Sequence, residues 1–418
     1  MSYTDFARRL LASGVVPDPW CDGRPRFRPE PVVLSAERAR AIEAAGVAAV
    51  ELHQAAFELC EDDPGLIDSF LCLTPVQRLM WQASLPWWHG IARADVFETE
   101  DGQIKVCELN SDTPTGQPEA VVLGRLAVED HPGRIDPTAR LQEHFVSCVE
   151  GYARTVVDPE HPRVIGLIYP TELTEDLHMV QLMHQWLEAT GWPVVLGSPF
   201  NLGRDASGAV TLMGERITVA FRHYKTDWWS ERLPAWDDED PFDDPLPLAA
   251  ELDLLLSAQH ARRCVILNPF GSVLTQNKRT MALLWELQAR LSPEHRELLH
   301  RYIPETRRLD AVHPEQIVAE REQWVLKSDY GAEGEEVVVG RHTEPGEWAL
   351  AIEHAIPERF VVQRCFVPAR DPDGWSLNLG PWVVAGRSAG IYGRLQRGPT
   401  DGEALSVAVL VEPGPGVE

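Results

Sequence analysis

Hydrophobic positions recur along this chain with two periods, and the period changes from segment to segment. In "SAERARAIEAAGVAAVELHQAAFELC", Ser35 to Cys60, apolar residues return every three or four positions behind a serine, which predicts a long helix with a serine cap and one buried face. "TPVQRLMWQASL" predicts a further helix opening on Thr74-Pro75, since threonine caps and proline suits the first turn. The first ninety residues thus read as mainly helical. Further on the order is "RVIGLIYP", then "TEDLHMVQLMHQWLEATG" with Thr174 as cap and Gly191 as stop, then "WPVVLG". Strand, helix and strand in that order predict a βαβ unit. The helical spacing sets Leu177, Val180, Met183 and Leu187 on one face as core.

The last third has another order. "RCVILN" reads as a strand and "NKRTMALLWELQARLS" as a helix capped by Asn277, while "WVLKSDYGAEGEEVVVG" gives two strands around a glycine turn. "RFVVQRCF", "GPWVVAG" and "SAGIYGRLQ" follow as strands of a largely antiparallel sheet, because β-branched residues cluster between Gly and Pro punctuation. Helical and strand signals alternate without an internal repeat, which predicts an α/β protein.

Composition narrows the classes. A chain of 418 residues can bury a large core and form two or three lobes. No apolar run approaches a membrane span, and "MSYTDFARRL" leads into an amphipathic segment and not a secretory leader, so a cytoplasmic location is expected. Seven scattered cysteines without a C-x-x-C pair read as reduced thiols, and none is given a chemical role. A net charge of -26 opposes nucleic acid as a partner. It favours a cationic small substrate slightly, or serves solubility alone. "WDDEDPFDDP", Trp236 to Pro245, carries two prolines and no periodicity and reads as an acidic loop.

Candidate chemistry starts at "KVCELNSDTPTG", Lys105 to Gly116. Glu108 and Asn110 stand at i and i+2 of a strand and so share a face, offering hard oxygens of the kind magnesium takes, or else a polar cross-strand pair. Lys278 opens a helix, Lys327 ends an apolar strand, and a G-x-x-G turn at Gly331 and Gly334 follows at once. Such lysines act as point charges for phosphates and glycine turns let backbone N–H groups approach them, although surface lysines and hairpin glycines are also common without that role.

The order of these signals, N-K at a helix start, "IPET", a strand with Lys, G-x-x-G and the "VVQ" strand, is similar to that of ATP-grasp ligases. "RADVF", "ELNSDTPTGQPEA", "YKTDWW", "NPFGSVLTQNKRTMALLWEL" and "GIYGR" resemble the synthetase part of the glutathionylspermidine synthase family, in the family's order from about residue 90 to 394. An amidase domain, which bifunctional members also carry, is not expected within these 418 residues. The resemblance implies an α/β, ATP-grasp-like ligase fold: an N-terminal helical region (1–90), a βαβ lobe carrying substrate and metal ligands (91–268), and a mainly antiparallel nucleotide-binding lobe (269–418). It implies ATP and Mg²⁺, with Asp95, Glu108 and Asn110 as metal ligands. Lys278, Lys327, Gly331 and Gly334 would hold the nucleotide's phosphates and Gln363 its adenine. Arg93 would lie near the transferring phosphate and Arg394 on the phosphates. Thr113 and Thr115 fall near the carboxylate donor, and Glu175, Asp176, Lys225 and Thr226 near the substrates.

Two departures from the family pattern stand out. Ser328 follows Lys327 where the family has proline, and the turn carries Glu333, Glu335 and Glu336, carboxylates that a triphosphate repels unless they face away or hold metal. The implied activity is ATP-dependent joining of a carboxylate to an amine through an acyl phosphate, with a peptide and a polyamine among the candidate substrates and neither nucleic acid nor membrane as partner. The alternative is a degenerate ATP-grasp protein that binds or scaffolds. Retention of both lysines with Asp95, Glu108 and Asn110 speaks against that alternative.

Overall fold

The computed structural model describes residues 1–156, 163–173, 176–331, 336–398 and 404–414. Strand β1 (Phe27–Leu34) precedes the long helix α1 (Ala36–Asp62), where Ser35 accepts the Arg38 amide as the expected cap. Helix α2 (Pro75–Ser84) opens on a capping box of Thr74 and Gln77. A hairpin of β2 (Ile91–Glu98) and β3 (Ile104–Asn110) leads to α3 (Gln117–Asp130). The βαβ unit follows as β4 (Ile165–Ile168), α4 (Leu177–Glu188) and β5 (Val194–Gly197), its strands parallel as expected. Then come β6 (Val219–Arg222), β7 (Val265–Leu267), a short helix α5 (Ser272–Thr275) and α6 (Arg279–Glu286). The remaining strands are β8 (Thr306–Arg308), β9 (Trp324–Ser328), β10 (Val337–Val339), β11 (Phe360–Arg364), β12 (Ser376–Val384), β13 (Arg387–Gln396) and β14 (Leu405–Val411).

Three sheets organise these elements. A parallel sheet has the order β7-β6-β4-β5, an antiparallel one β8-β11-β9-β10, and a six-stranded one β1-β14-β13-β12-β2-β3. The antiparallel character expected of the last third holds for β8 to β13. The six-stranded sheet draws on all three segments of the chain, since β1 pairs in parallel with β14 and β2 lies against β12. Strand β1 was not visible as a strand because "FRPEPVVL" carries two prolines. At a sheet edge, where β1 lies, proline is tolerated.

Two local expectations change. Leu177 is 45% exposed, whereas Val180, Met183 and Leu187 are buried as expected. Leu177 is the first residue of α4, and a helical side chain covers the turn before its own Cα, which is missing there. The expected Thr174 cap lies outside the described residues; Asp176 holds the cap position without a side-chain bond. The cap position of the following helix falls to Lys278 and not to the expected Asn277, which lies one residue earlier and accepts from Arg279 N at 2.8 Å through its Oδ1. That helix ends at Glu286, and a separate 3-10 turn at Gln288–Arg290 continues the segment.

Helix α1 lies across β2, β3 and β12 on one face of the six-stranded sheet. Its Gly46 permits that approach, because a Cβ there would come within 2.8 Å of Pro381 Cγ. Ala92, Ala94 and Val96 of β2 point into this packed layer and are fully buried. Since side chains alternate along a strand, the intervening Arg93 and Asp95 turn to the opposite face.

Candidate active site

Register fixes what that opposite face carries. Arg93 pairs with Asn110 and Asp95 with Glu108 across the β2–β3 ladder, so two carboxylates, a carboxamide and a guanidinium share one side of the hairpin. Strands β12 and β13 extend this surface with Arg394, whose Nη2 donates to Asp95 Oδ2 at 2.8 Å. Arg93 donates to Asp95 Oδ1 from Nε (3.3 Å) and Nη2 (3.2 Å), and through Nη1 to the Thr115 carbonyl. Its guanidinium lies 5.9 Å from the Trp382 ring centre and 5.8 Å from that of Tyr392, within the range of cation–π attraction. Gly380 makes room for it: a Cβ at that position would stand 2.9 Å from Arg93 Cδ.

Asp95 is buried, which by itself pushes its carboxyl up, yet Arg93 and Arg394 outweigh the burial and hold it below its ordinary value. The carboxylate is therefore ionised at neutral pH. Asn110 turns its amide nitrogen toward Asp95 Oδ1 at 3.4 Å. Asp95, Glu108 and the Asn110 carboxamide present hard oxygens on adjacent strands, a donor set that suits Mg²⁺, which takes a few protein oxygens and completes its octahedron with phosphates and water.

The two lysines converge on the same hairpin from different elements. Lys278, at the start of α6, places Nζ 3.3 Å from Glu108 Oε1 and donates to the Gly331 carbonyl at 2.6 Å. Lys327, near the end of β9, donates to the Cys107 carbonyl at 3.0 Å and to Gln363 Oε1 at 2.8 Å. Gln363 in turn donates to Thr306 Oγ1 at 3.0 Å. Arg93, Asp95, Glu108, Asn110, Lys278, Lys327, Gly331, Gln363 and Arg394 thus form one connected neighbourhood around β3. Gly334 and Glu175 lie outside the described residues.

The other candidates gather at the carboxyl ends of the parallel strands, where open α/β sheets bind ligands. A narrow crevice there is lined by Asp112, Thr113, Arg222 and His223, among others. His223 Nε2 stands 3.5 Å from Asp176 Oδ2. Thr226 is buried and directs its hydroxyl to Asp112 Oδ1, while its amide donates to Asp112 Oδ2 at 2.6 Å. Lys225 Nζ lies 5.0 Å from the Trp228 ring centre. Thr115 meets the first group through its carbonyl, on Arg93.

Sequence reasoning passed over the residues that join the two groups. Arg222, fully buried, donates to Asp112 Oδ1 at 2.6 Å and to the carbonyls of Tyr224 (2.7 Å) and Asn268 (3.1 Å). Ser272 donates to the same carboxylate oxygen at 2.9 Å. Burial pushes the Asp112 carboxyl up, but Arg222 and Thr226 outweigh it and keep it below its ordinary range. One signal was present: an arginine closing the apolar run "VAF" requires a buried partner.

The glutathionylspermidine synthase preATP-grasp family matches residues 72–404. No curated protein sequence matches the chain. Among solved structures, a glutathione synthetase-like effector from Globodera pallida in its apo form superposes with a TM-score of 0.59 at 12% identity, covering 97% of this chain and 95% of that one. A structure assigned as a gamma-glutamylcysteine synthetase from Methylobacillus flagellatus KT gives a TM-score of 0.46 at 11% identity, over 90% of this chain and 87% of the other. The first likeness is one of fold. The family match spans most of the chain and includes every residue of both groups, and the chain belongs to the glutathionylspermidine synthase preATP-grasp family.

Proposed function

We propose that this protein is an ATP-dependent ligase that joins a carboxylate to an amine through an acyl phosphate. The observation that carries the reading is the β2–β3 face: Asp95 opposite Glu108, Asn110 beside them, and Lys278 reaching Glu108 from another element. Bound magnesium supplies neutralisation of phosphate charge at Asp95, Glu108 and Asn110. Lys278 and Lys327 hold the nucleotide's phosphates with the backbone at Gly331 and Gly334, and Gln363 takes the adenine. An ammonium has three N–H donors, so Lys278 keeps one beyond those directed to Glu108 and Gly331. Arg93 and Arg394 stabilise the charge that develops on the transferring phosphoryl group, where fixed guanidinium groups act without reorganising. Thr113 and Thr115 orient the carboxylate donor, and Glu175, Asp176, Lys225 and Thr226 border the amine. Most of the catalysis in this scheme is positioning and electrostatics.

A cationic amine, of the polyamine kind, is the proposed acceptor, in keeping with the charge of -26. An amino-acid acceptor would bring a carboxylate against Asp176. A second reading, a binding protein without turnover, draws support from the protein partners that Lys278 and Asp95 already have. Incubation with ATP, Mg²⁺ and panels of peptides, polyamines and amino acids, with ADP and conjugates read by mass, separates these cases. A polyamine conjugate is expected. An amino-acid conjugate alone would remove the cationic acceptor and keep the ligase, and no ADP with any pair would favour the binding protein.

A further inference from the structure

Two side-chain amides outside the proposed ligand set grip the chain at the point where the metal-ligand strand ends. Asn268, which follows β7 and is buried, accepts on Oδ1 from the amides of Gly90 and Ile91, both at 2.9 Å. Its Nδ2 donates toward the carbonyls of Ile91 (2.9 Å), Ser111 (3.1 Å) and Asp112 (2.8 Å). Gln276, just after α5, takes the complementary groups: its Oε1 accepts from Ser111 N at 2.9 Å and Asp112 N at 3.1 Å. The Ser111 hydroxyl also meets that of Thr275 at 2.9 Å.

One side chain therefore reads the carbonyls of Ser111 and Asp112 and the other reads their amides. Both belong to a single segment, residues 268–276, which ends two positions before Lys278. Asn268 in addition holds the backbone at Gly90 and Ile91, where the strand carrying Arg93 and Asp95 begins. A strand end has no ladder partner for its next peptide groups, and buried peptide groups must find one. Here the partners are supplied by the segment that leads directly into Lys278, the lysine proposed to hold phosphate.

We infer that Asn268 and Gln276 form a positioning clamp that fixes Asn110 and Asp95 relative to Lys278, so that metal and phosphate ligands move as one body. The inference rests on the ligase reading for the metal, but the clamp has a signature of its own. Gln276→Ala is the first variant, because Gln276 is only partly buried and its loss is expected to leave the fold intact. Gln276→Glu keeps the accepting oxygen and serves as the conservative rescue. Asn268→Ser tests the other half.

Two quantities are read at a temperature well below the unfolding transition. The first is hydrogen exchange by mass spectrometry over a peptide containing residues 106–116. The second is the affinity for Mn²⁺, measured by electron paramagnetic resonance with a non-hydrolysable ATP analogue. Gln276→Ala should speed exchange at Ser111 and Asp112 and weaken Mn²⁺ binding about tenfold or more, the size of effect usual for residues that orient metal ligands, with Gln276→Glu close to the parent. A side chain that only stabilises the fold would lower the melting temperature and leave Mn²⁺ affinity unchanged. Unchanged exchange in Gln276→Ala overturns the clamp, and so does faster exchange with parental Mn²⁺ affinity. If Asn268→Ser fails to fold, Gln276→Ala decides alone. A parent that takes up no Mn²⁺ sinks the metal site and the inference with it, and the exchange result then shows whether the two amides still hold the strand end.

Discussion

The ammonium of Lys278 stands 3.3 Å from Oε1 of Glu108 and donates at 2.6 Å to the carbonyl of Gly331. A helix start, a strand face and the Gly331 carbonyl thus meet at one cation, and the carboxylate it pairs with is one of the two proposed to bind metal. In the proposed site Glu108 would serve as a metal ligand and Lys278 as a phosphate partner, so Glu108 is the residue on which both halves would depend.

Replacing Glu108 with Gln keeps the shape, removes the charge and turns one accepting oxygen into an NH2 donor. The fold should be unaffected, because Glu108 is partly exposed and its pair with Lys278 is not a fully buried one. Magnesium-dependent ATP consumption should be abolished, measured as ADP release in the presence of an acid and amine pair that the parent joins. Undiminished turnover in a well-folded Glu108→Gln protein would count decisively against the metal assignment.

Lys278→Met and Lys327→Met should each weaken ATP binding. A charge-assisted hydrogen bond is worth about 1.5–3 kcal/mol, which corresponds to roughly tenfold or more in affinity by calorimetric titration. Lys327→Met should be the more disruptive to local structure, since it also removes the donor that Gln363 Oε1 and the Cys107 carbonyl share. Parental affinity in both variants would show that the nucleotide lies elsewhere.

Gly380→Ala adds one methyl group that would stand 2.9 Å from Arg93 Cδ. Arg93 is held on its other sides by Trp382, Tyr392, Asp95 and the Thr115 carbonyl, so the methyl should shift its guanidinium. The expected result is a fall in kcat of about tenfold or more with KM for ATP little changed, because in the proposed scheme Arg93 acts on the transferring phosphoryl group and not on nucleotide binding. A Gly380→Ala enzyme with full kcat would remove Arg93 from that role.

How much of this could be read from the sequence follows from the range of each interaction. Glu108 and Asn110 were legible as a same-face pair because alternation along a strand is local, and the helix behind Ser35 was legible because its cap and period lie within one segment. The pairing of β1 with β14 was not, since it joins residues almost four hundred positions apart and proline masks the strand. Arg222 and Asp112 escaped for the same reason: the arginine that closes "VAF" signals a buried partner but does not identify it, and the ion pair exists only once β6 comes beside the exit of β3. Leu177 was misjudged because periodicity gives a direction around the helix axis and says nothing about where the helix begins.

Asp227 offers a test of stability in place of activity. Burial, and after it the charge of Asp112, push its carboxyl up from 3.8 to about 6, while Lys225 works in the opposite direction. A carboxyl raised in the folded state stabilises the protein fully below its ordinary value, and that contribution is lost as the pH rises through the folded one. Above pH 6 the ionised Asp227 is therefore a penalty that the native state carries. Asp112 remains ionised throughout this window, since Arg222 more than offsets its burial, so the repulsion on Asp227 persists. Asp227→Asn removes the titration and keeps the shape. In urea unfolding the variant should differ little from the parent near pH 4, and should become the more stable of the two as the pH rises from 5 to 7.5, with the gap levelling off once the parent is ionised. A gap that stays constant over that range, or one that narrows with rising pH, would mean that Asp227 is not the strained carboxylate its surroundings make it.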